Sequence, residues 1–310
     1  MIPAAFAYSR AASVEEALGL LMEHGADAKI IAGGQSLLPL MKLRLARPDR
    51  LIDIGRIDVL RGVRELPDGR LAIGSLTTYA QLLDDSTVMR LALLADALPR
   101  IADVQVRNRG TIGGAIAHAD PAADLPAVLL ALDAEVAVRS AERGERSIPI
   151  GEFFDGAFST ALAPDELLTE IRVPAPSGSY GSAYRMLEQQ ASGFAIAGVA
   201  VVIGQTGSGS TSGAGSGARI GPDAPVDDIR VAVTGVGDHP YRATSVEDAL
   251  RGTKLGSAAI GSAAIASAVA SICDGVTVQS DIHADRTYRS AMAGVMARRA
   301  LEAARERLFD

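Results

Sequence analysis

Apolar positions near the N-terminus change period once. Val14, Ala17, Leu18, Leu21 and Met22 recur three and four residues apart, behind a Ser13/Glu16 pair at capping-box spacing and ahead of Gly25, which predicts a helix ending there. The apolar run that follows, "AKIIAG", is short and continuous, and predicts a buried strand. "LIDIG" and "RLAIGSLTT" predict two more, the second with a glycine that lets two backbones approach closely. In "TTYAQLLDDSTVMRLALLADALPRI" helical spacing returns, interrupted near Asp85 and Ser86.

Further along, "AEVAVRS" alternates as a strand does, and "FAIAGVAVVIG" and "DIRVAVTGVG" predict a pair of buried strands. Between that pair lies "QTGSGSTSGAGSGARIGPDAPVD", with almost no side chain able to pack, so a Gly/Ser-rich hairpin loop is expected at about 205–224. "SVEDALRGT" and the Ala-rich stretch 257–272 predict helices, and "ADRTYRSAMAGVMARRALEAARERLF" predicts a long amphipathic one. Near residue 176 the Pro/Gly/Ser-rich "RVPAPSGSYGSAYR" suits a domain boundary.

A chain of 310 residues is long enough for two domains with separate cores. Its net charge of -7 leaves no basic footprint for nucleic acid and does not suit an anionic membrane. No secretory leader pattern and no apolar run of membrane-spanning length are visible, so a cytoplasmic location is expected. The single cysteine, Cys273, cannot ligate an iron–sulfur cluster unaided, and the four histidines have no metal-ligand spacing, so no protein-held metal is expected.

Two glycine turns carry the candidate chemistry. A backbone without Cβ can turn successive N–H groups toward an anion and approach it closely. In the first turn Gly33, Gly34, Gln35 and Ser36 are the candidate amide donors, and in the second Thr111, Gly113 and Gly114, each with a helix expected to start after it. The bland alternative is two tight turns. Neither matches a triphosphate-binding loop or a dinucleotide fingerprint. Asp124 either caps a short helix with Pro126 in its first turn or serves a ligand, and Arg107 and Arg109 either meet phosphate or pair with carboxylates.

The stretches "AGGQSLLPLMKLR…LIDIG", "RNRGTIGGAIAHADPAADLPAVLLAL", "DELLTEIRVPAP", "YRMLEQQASGFAIAGVAVV" and "YRSAMAGVMARRAL" together resemble the FAD-binding medium subunit of molybdenum hydroxylases, the group of aerobic carbon monoxide dehydrogenase and xanthine dehydrogenase. The resemblance covers nearly the whole chain. It implies an α+β fold: a two-subdomain FAD-binding domain of the vanillyl-alcohol-oxidase (PCMH) type over residues 1–176, with subdomains of about 1–55 and 56–176. A small α+β domain with an antiparallel sheet would follow over 177–310.

By the same resemblance, Ala32, Gly33, Gly34, Gln35, Ser36 and Leu37, with Thr111, Ile112, Gly113, Gly114 and Ala115, would cradle the FAD pyrophosphate. Asp124 would lie near the pyrophosphate or ribityl region, Leu168 and Phe194 beside the flavin rings, and His118 and Arg185 among the cofactor's contacts. Without the resemblance, Leu168 and Phe194 read as core residues and His118 as a structural histidine. Ala115 stands where relatives carry Asn or Ser, Gly193 where they carry Asp, and the Gly/Ser-rich insertion is longer than expected.

No nucleophile–base pair sits beside the turns, so no catalytic residue is expected on this chain. The resemblance implies an oxidoreductase subunit that takes electrons from two [2Fe–2S] clusters of a small subunit and passes them to an external acceptor. The substrate would be oxidised at a molybdenum cofactor on a large subunit, in a heterohexamer with two copies of each chain. An autonomous flavin oxidoreductase and a non-catalytic scaffold are the alternatives.

Overall fold

The computed structural model describes residues 2–174, 178–205, 224–256 and 258–309. The expected boundary at 176/177 and nearly all of the expected Gly/Ser-rich loop lie outside the described residues.

The chain opens with β1 (Ala7–Arg10), α1 (Val14–His24), β2 (Ala28–Ile31), α2 (Leu37–Lys42) and β3 (Arg50–Asp53). The predicted helix forms because its first turn is capped from both sides: the Ser13 hydroxyl accepts from the Glu16 amide and the Glu16 carboxylate accepts from the Ala12 amide. Gly25, at φ 52°, ends it in a conformation that costs glycine least. Val14, Ala17, Leu18 and Leu21 bury one face in a core with Ile52, Ile54 and Ile57. The strands form a parallel sheet in the order β1-β3-β2.

Then follow β4 (Val63–Glu65), β5 (Leu71–Gly74), α3 (Tyr79–Asp84), α4 (Ser86–Met89) and α5 (Ala92–Ala97). The interruption expected near Asp85 is real: its carboxylate accepts from the amides of Thr87 and Val88 and so starts a new helix. Next come α6 (Val104–Arg109), α7 (Ile112–His118), α8 (Asp124–Ala131), β6 (Glu135–Ser140), β7 (Gly144–Pro149), β8 (Phe154–Gly156), β9 (Ser159–Thr160) and β10 (Glu166–Val173). Strands β4-β5-β10-β6-β7, in that order, make a five-stranded antiparallel sheet, and β10 bulges against β6 between Leu168 and Glu170.

The last part holds β11 (Ser179–Glu188), β12 (Ala195–Gln205), β13 (Asp228–Thr234), β14 (Tyr241–Arg242), α9 (Thr244–Leu250), α10 (Ala258–Ala268) and α11 (Arg286–Phe309). The strands form one antiparallel sheet in sequence order, which includes the predicted pairing of β12 with β13. Both faces of β12 are buried, which is why its sequence is continuously apolar. Ala197, Val199, Val201 and Ile203 join a core with Ala297, Ala300 and Leu301 of α11, while α8 packs on the same strand.

By compactness the described chain forms two units. One gathers Met1–Val88, Ala102–Ala119 and Ala134–Val173, and holds the parallel and five-stranded sheets. The other gathers Met89–Ile101, Asp120–Asp133 and Pro174–Asp310, so α5 and α8 group with the C-terminal sheet. Both helices pack on that sheet, α5 on β11 and α8 on β12 and β13, and this contact outweighs their position in the sequence.

Candidate functional site

The first glycine turn leaves β2 as a run of unused donors. Among the described residues the amides of Gly33, Gly34, Gln35, Ser36 and Leu37 meet no acceptor, and the first committed amide is that of Leu38, which donates to the Gly34 carbonyl at 3.1 Å. Gly34 sits at φ 75°, where an L-residue is disfavoured, and this reversal splays the N–H groups. The Gln35 side chain folds back onto the Gly33 carbonyl at 3.3 Å.

The second turn behaves differently from the sequence expectation. No helix starts after it: Thr111 is itself the N-cap of α7, and both glycines lie in that helix's first turn. Their amides are committed. Ile112 donates to the Thr77 carbonyl at 3.0 Å and Gly113 to the Ser75 carbonyl at 3.0 Å, while Gly114 donates to the Thr111 hydroxyl at 3.2 Å and Ala115 to the Thr111 carbonyl at 3.0 Å. Gly113 is glycine for proximity, since a Cβ there would lie 2.5 Å from Cβ of Ser75. Gly114, Ala115 and Gly113 therefore shape a wall instead of donating from it.

The two turns meet within the first unit. A Cβ on Gly33 would overlap the Arg109 carbonyl oxygen and come within 3.1 Å of Cα of Gly110. Between them lies a cleft of about 110 Å3 lined by Ala32, Gly33, Gly55, Arg61, Arg109 and Thr111. Arg61 stitches its rim, donating to the carbonyls of Gly55 at 2.6 Å and Leu76 at 3.2 Å. Five free amides, the first of them at a cleft that Arg61 and Arg109 also line, fit a pyrophosphate.

Other expected site residues in this unit are placed individually. His118 ends α7 with its ring 5.1 Å from that of Phe158, at a tilt of 47°. Leu168 is buried at the bulge of β10, opposite Val138. Arg107 donates to the Ala102 carbonyl at 2.8 Å and so serves its own loop.

In the second unit, Asp124 is not a helix cap. It is the first residue of α8, behind Ala123, and its carboxylate turns inward to accept from the Tyr184 hydroxyl at 2.5 Å. Burial pushes the Asp124 carboxyl up to about 6, against the lowering effects of the Tyr184 bond and of Arg100. Arg185 donates to Asp96 at 2.9 Å and to the Tyr184 carbonyl at 2.8 Å. Phe194 is 46% exposed, on a turn in which the Gly193 amide donates to the Gln189 carbonyl at 2.8 Å. Gly193 has φ 73°, a conformation that Asp also tolerates, so this departure from the family pattern keeps the turn.

The raised Asp124 carboxyl has a consequence for stability. The native state holds the proton more tightly than an unfolded aspartate with its ordinary value near 3.9, so this contribution is present below about pH 4 and lost as pH rises through about 6. Relative to Asp124→Asn, wild type should lose on the order of 3 kcal/mol between pH 4 and pH 7. Urea unfolding of both chains across that range checks it, and parallel profiles would refute it.

Sequence reasoning missed Arg61, Ser75 and Tyr184. "GSLTT" was legible as a strand end, but not as the partner of the second turn. Ser75 is buried, and its hydroxyl has no partner among the described residues. Tyr184 carried no signal in the sequence, standing between Ser182–Ala183 and Arg185 in "YGSAYRML". No group of residues that could hold a metal is found among the described residues.

Comparison with known proteins bears on the whole chain. Residues 4–176 match the family described as "FAD binding domain in molybdopterin dehydrogenase", and residues 182–304 match "CO dehydrogenase flavoprotein C-terminal domain". The carbon monoxide dehydrogenase medium chain of Hydrogenophaga pseudoflava is 42% identical over 98% of each chain. The 6-hydroxypseudooxynicotine dehydrogenase complex subunit alpha of Paenarthrobacter nicotinovorans is 40% identical over 99% of this chain and 97% of its own. A solved structure of carbon monoxide dehydrogenase from Hydrogenophaga pseudoflava aligns with a TM-score of 0.88 at 41% identity, covering 99% of this chain and 100% of the other. These matches define a two-domain flavoprotein of the PCMH type that serves an oxidoreductase. The chain belongs to the FAD-binding medium subunits of the molybdenum hydroxylases.

Proposed function

We propose that this chain is the electron-transfer subunit of a molybdenum hydroxylase complex, accepting electrons from [2Fe–2S] clusters of a small subunit and passing them to an external acceptor. Substrate oxidation belongs to the molybdenum cofactor of a large subunit, in a cytoplasmic heterohexamer. The observation that carries the reading is the run of free amides from Gly33 to Leu37, which starts at the small cleft.

FAD, when bound, supplies a group that exchanges electrons one or two at a time. The chain's residues supply its hold. The amides of Gly33 to Leu37 bind pyrophosphate, and Ala32, Thr111, Ile112, Gly113, Gly114 and Ala115 give the cradle its shape. His118, Asp124, Leu168, Arg185 and Phe194 belong to the same assignment by family resemblance, as do the domain limits 1–176 and 177–310.

The two relatives above are named for carbon monoxide and for 6-hydroxypseudooxynicotine, which supports placing substrate choice on another chain. No helix among the described residues is long and apolar enough to cross a membrane.

The test is the visible spectrum of the chain, with chromatography of what acid releases and of what co-purifies from its source. Flavin bands, about one FAD per chain and two partners of different size are expected. A chain that turns over substrate alone would overturn the division of labour, and a folded chain that takes up no FAD even in the assembled complex would overturn the cofactor assignment.

A further inference from the structure

A cavity of about 240 Å3 lies wholly within the second unit, between the start of α5, the end of α8 and strands β11 to β13. The pleat of the sheet decides which side chains reach it. Ser182, Val202 and Arg230 stand opposite one another across the three strands, and Tyr180 and Asp228, two residues along on the same face, flank Gly204, which brings no side chain. Leu91, Leu93 and Leu132 close the cavity from the helix ends.

The charged groups at this cavity are already paired. Arg230 donates to Asp133 at 3.0 Å and to Asp228 at 2.9 Å, Arg242 donates to the other oxygen of Asp133 at 2.7 Å, and Glu247 accepts from Arg242 at 2.6 Å. Charges of alternating sign thus run from Glu247 to Asp228, three carboxylates against two guanidinium groups. An anion is repelled there, and a cation finds each carboxylate already held. Two hydroxyls, by contrast, are not paired. Ser182 is 3% exposed and Tyr180 half-buried, both line the cavity, and neither hydroxyl has a partner among the described residues. A buried hydroxyl without a partner costs stability, and a bound acceptor removes that cost. Water satisfies the hydroxyls but gains nothing from Leu91, Leu93, Leu132 and Val202, so an apolar body displaces it from those walls.

We propose that this cavity binds a small uncharged molecule, with a ring-sized apolar body against the leucines and a carbonyl oxygen that accepts from Ser182 and Tyr180. A carbonyl oxygen has two lone pairs, one for each hydroxyl. The volume suits such a ligand, since a cavity of roughly 150 Å3 already admits benzene. Every residue of the site lies in the second unit, so the site stands whether or not the glycine turns hold FAD.

Saturation-transfer NMR titration of the full-length chain tests it with probes that share a benzene ring and differ in the head group: acetophenone, benzoate and benzylamine. Acetophenone should bind with a dissociation constant of about 1 mM, ordinary for so small a ligand, and about tenfold more tightly than the anion or the cation. Ser182→Ala should weaken acetophenone about fivefold, the size of one neutral hydrogen bond. Val202→Phe, which puts a second ring into the cavity, should abolish its binding. Should Val202→Phe fail to fold, Ser182→Ala still decides, because it only removes a hydroxyl. No acetophenone binding by wild type up to about 10 mM would overturn the site. Benzoate or benzylamine binding as tightly as acetophenone would overturn the ligand class, and wild-type acetophenone affinity in Ser182→Ala would place the probe elsewhere on the chain and overturn the proposal.

Discussion

Gly33→Ala is expected to strip FAD from the chain. The added methyl would be driven into the Arg109 carbonyl oxygen, with the Arg109 carbonyl carbon at 2.9 Å and Cα of Gly110 at 3.1 Å. All three are backbone atoms, so no side-chain rotation relieves the clash, and the two turns must separate. Overpacking of this kind costs about 1–3 kcal/mol, which translates to roughly a tenfold to hundredfold weaker hold on a ligand gripped between the turns. Gly34→Ala is the instructive contrast. Its Cβ would meet only side-chain atoms, Cδ1 and Cγ of Leu38 at 3.0 and 3.3 Å and Cδ1 of Ile31 at 3.4 Å, so its main penalty is about 1 kcal/mol for φ 75°. Calorimetric FAD titrations of the two variants should rank Gly33→Ala well below Gly34→Ala. Equal affinities, or wild-type affinity in Gly33→Ala, would remove the close approach of the turns from the account of binding.

Gly181→Ala should cost the most stability for the least chemical change. On β11 a Cβ at this position would overlap the Ala304 carbonyl oxygen of α11 and fall 2.5 Å from the Leu308 amide nitrogen. Strand and helix touch backbone to backbone there, and the last turns of α11 are fastened by Arg307, which donates to the Ser182 carbonyl at 2.6 Å and to Asp96 at 2.9 Å. The helix cannot yield without losing these bonds. Unfolding of the second unit should be easier by about 3 kcal/mol, near the upper end for overpacking. Urea denaturation, with proteolytic release of α11 as a second readout, checks this. A variant within about 0.5 kcal/mol of wild type would mean that the helix slides freely over the sheet.

The two glycine turns look equivalent on paper and differ in the folded chain. Gly33 to Leu37 offer their amides outward, whereas Gly113, Gly114 and Ala115 spend theirs on Ser75 and Thr111. Ala115, where the resemblance implies Asn or Ser, brings no side-chain donor to a segment whose amides are spent within the chain. In this protein the amides of the first turn are free and those of the second are spent.

Local interactions were determined by the sequence itself. The helix 14–24, the strands at "AKII" and "LAIG", the break at Asp85 and the long C-terminal helix follow from apolar period and caps, which act between residues no more than about four apart. The glycine turns and the flavoprotein family were legible for the same reason, since their motifs are contiguous. The tertiary structure alone decided which amides stay free, because their competitors are carbonyls of Ser75 and Thr77, far along the chain. It also turned Asp124 from a cap into the partner of Tyr184, sixty positions away, where burial of a carboxylate demands a donor. And it drew α5 and α8 to the C-terminal sheet, because an apolar helix settles on whatever surface buries it, and sequence order does not say which surface that is.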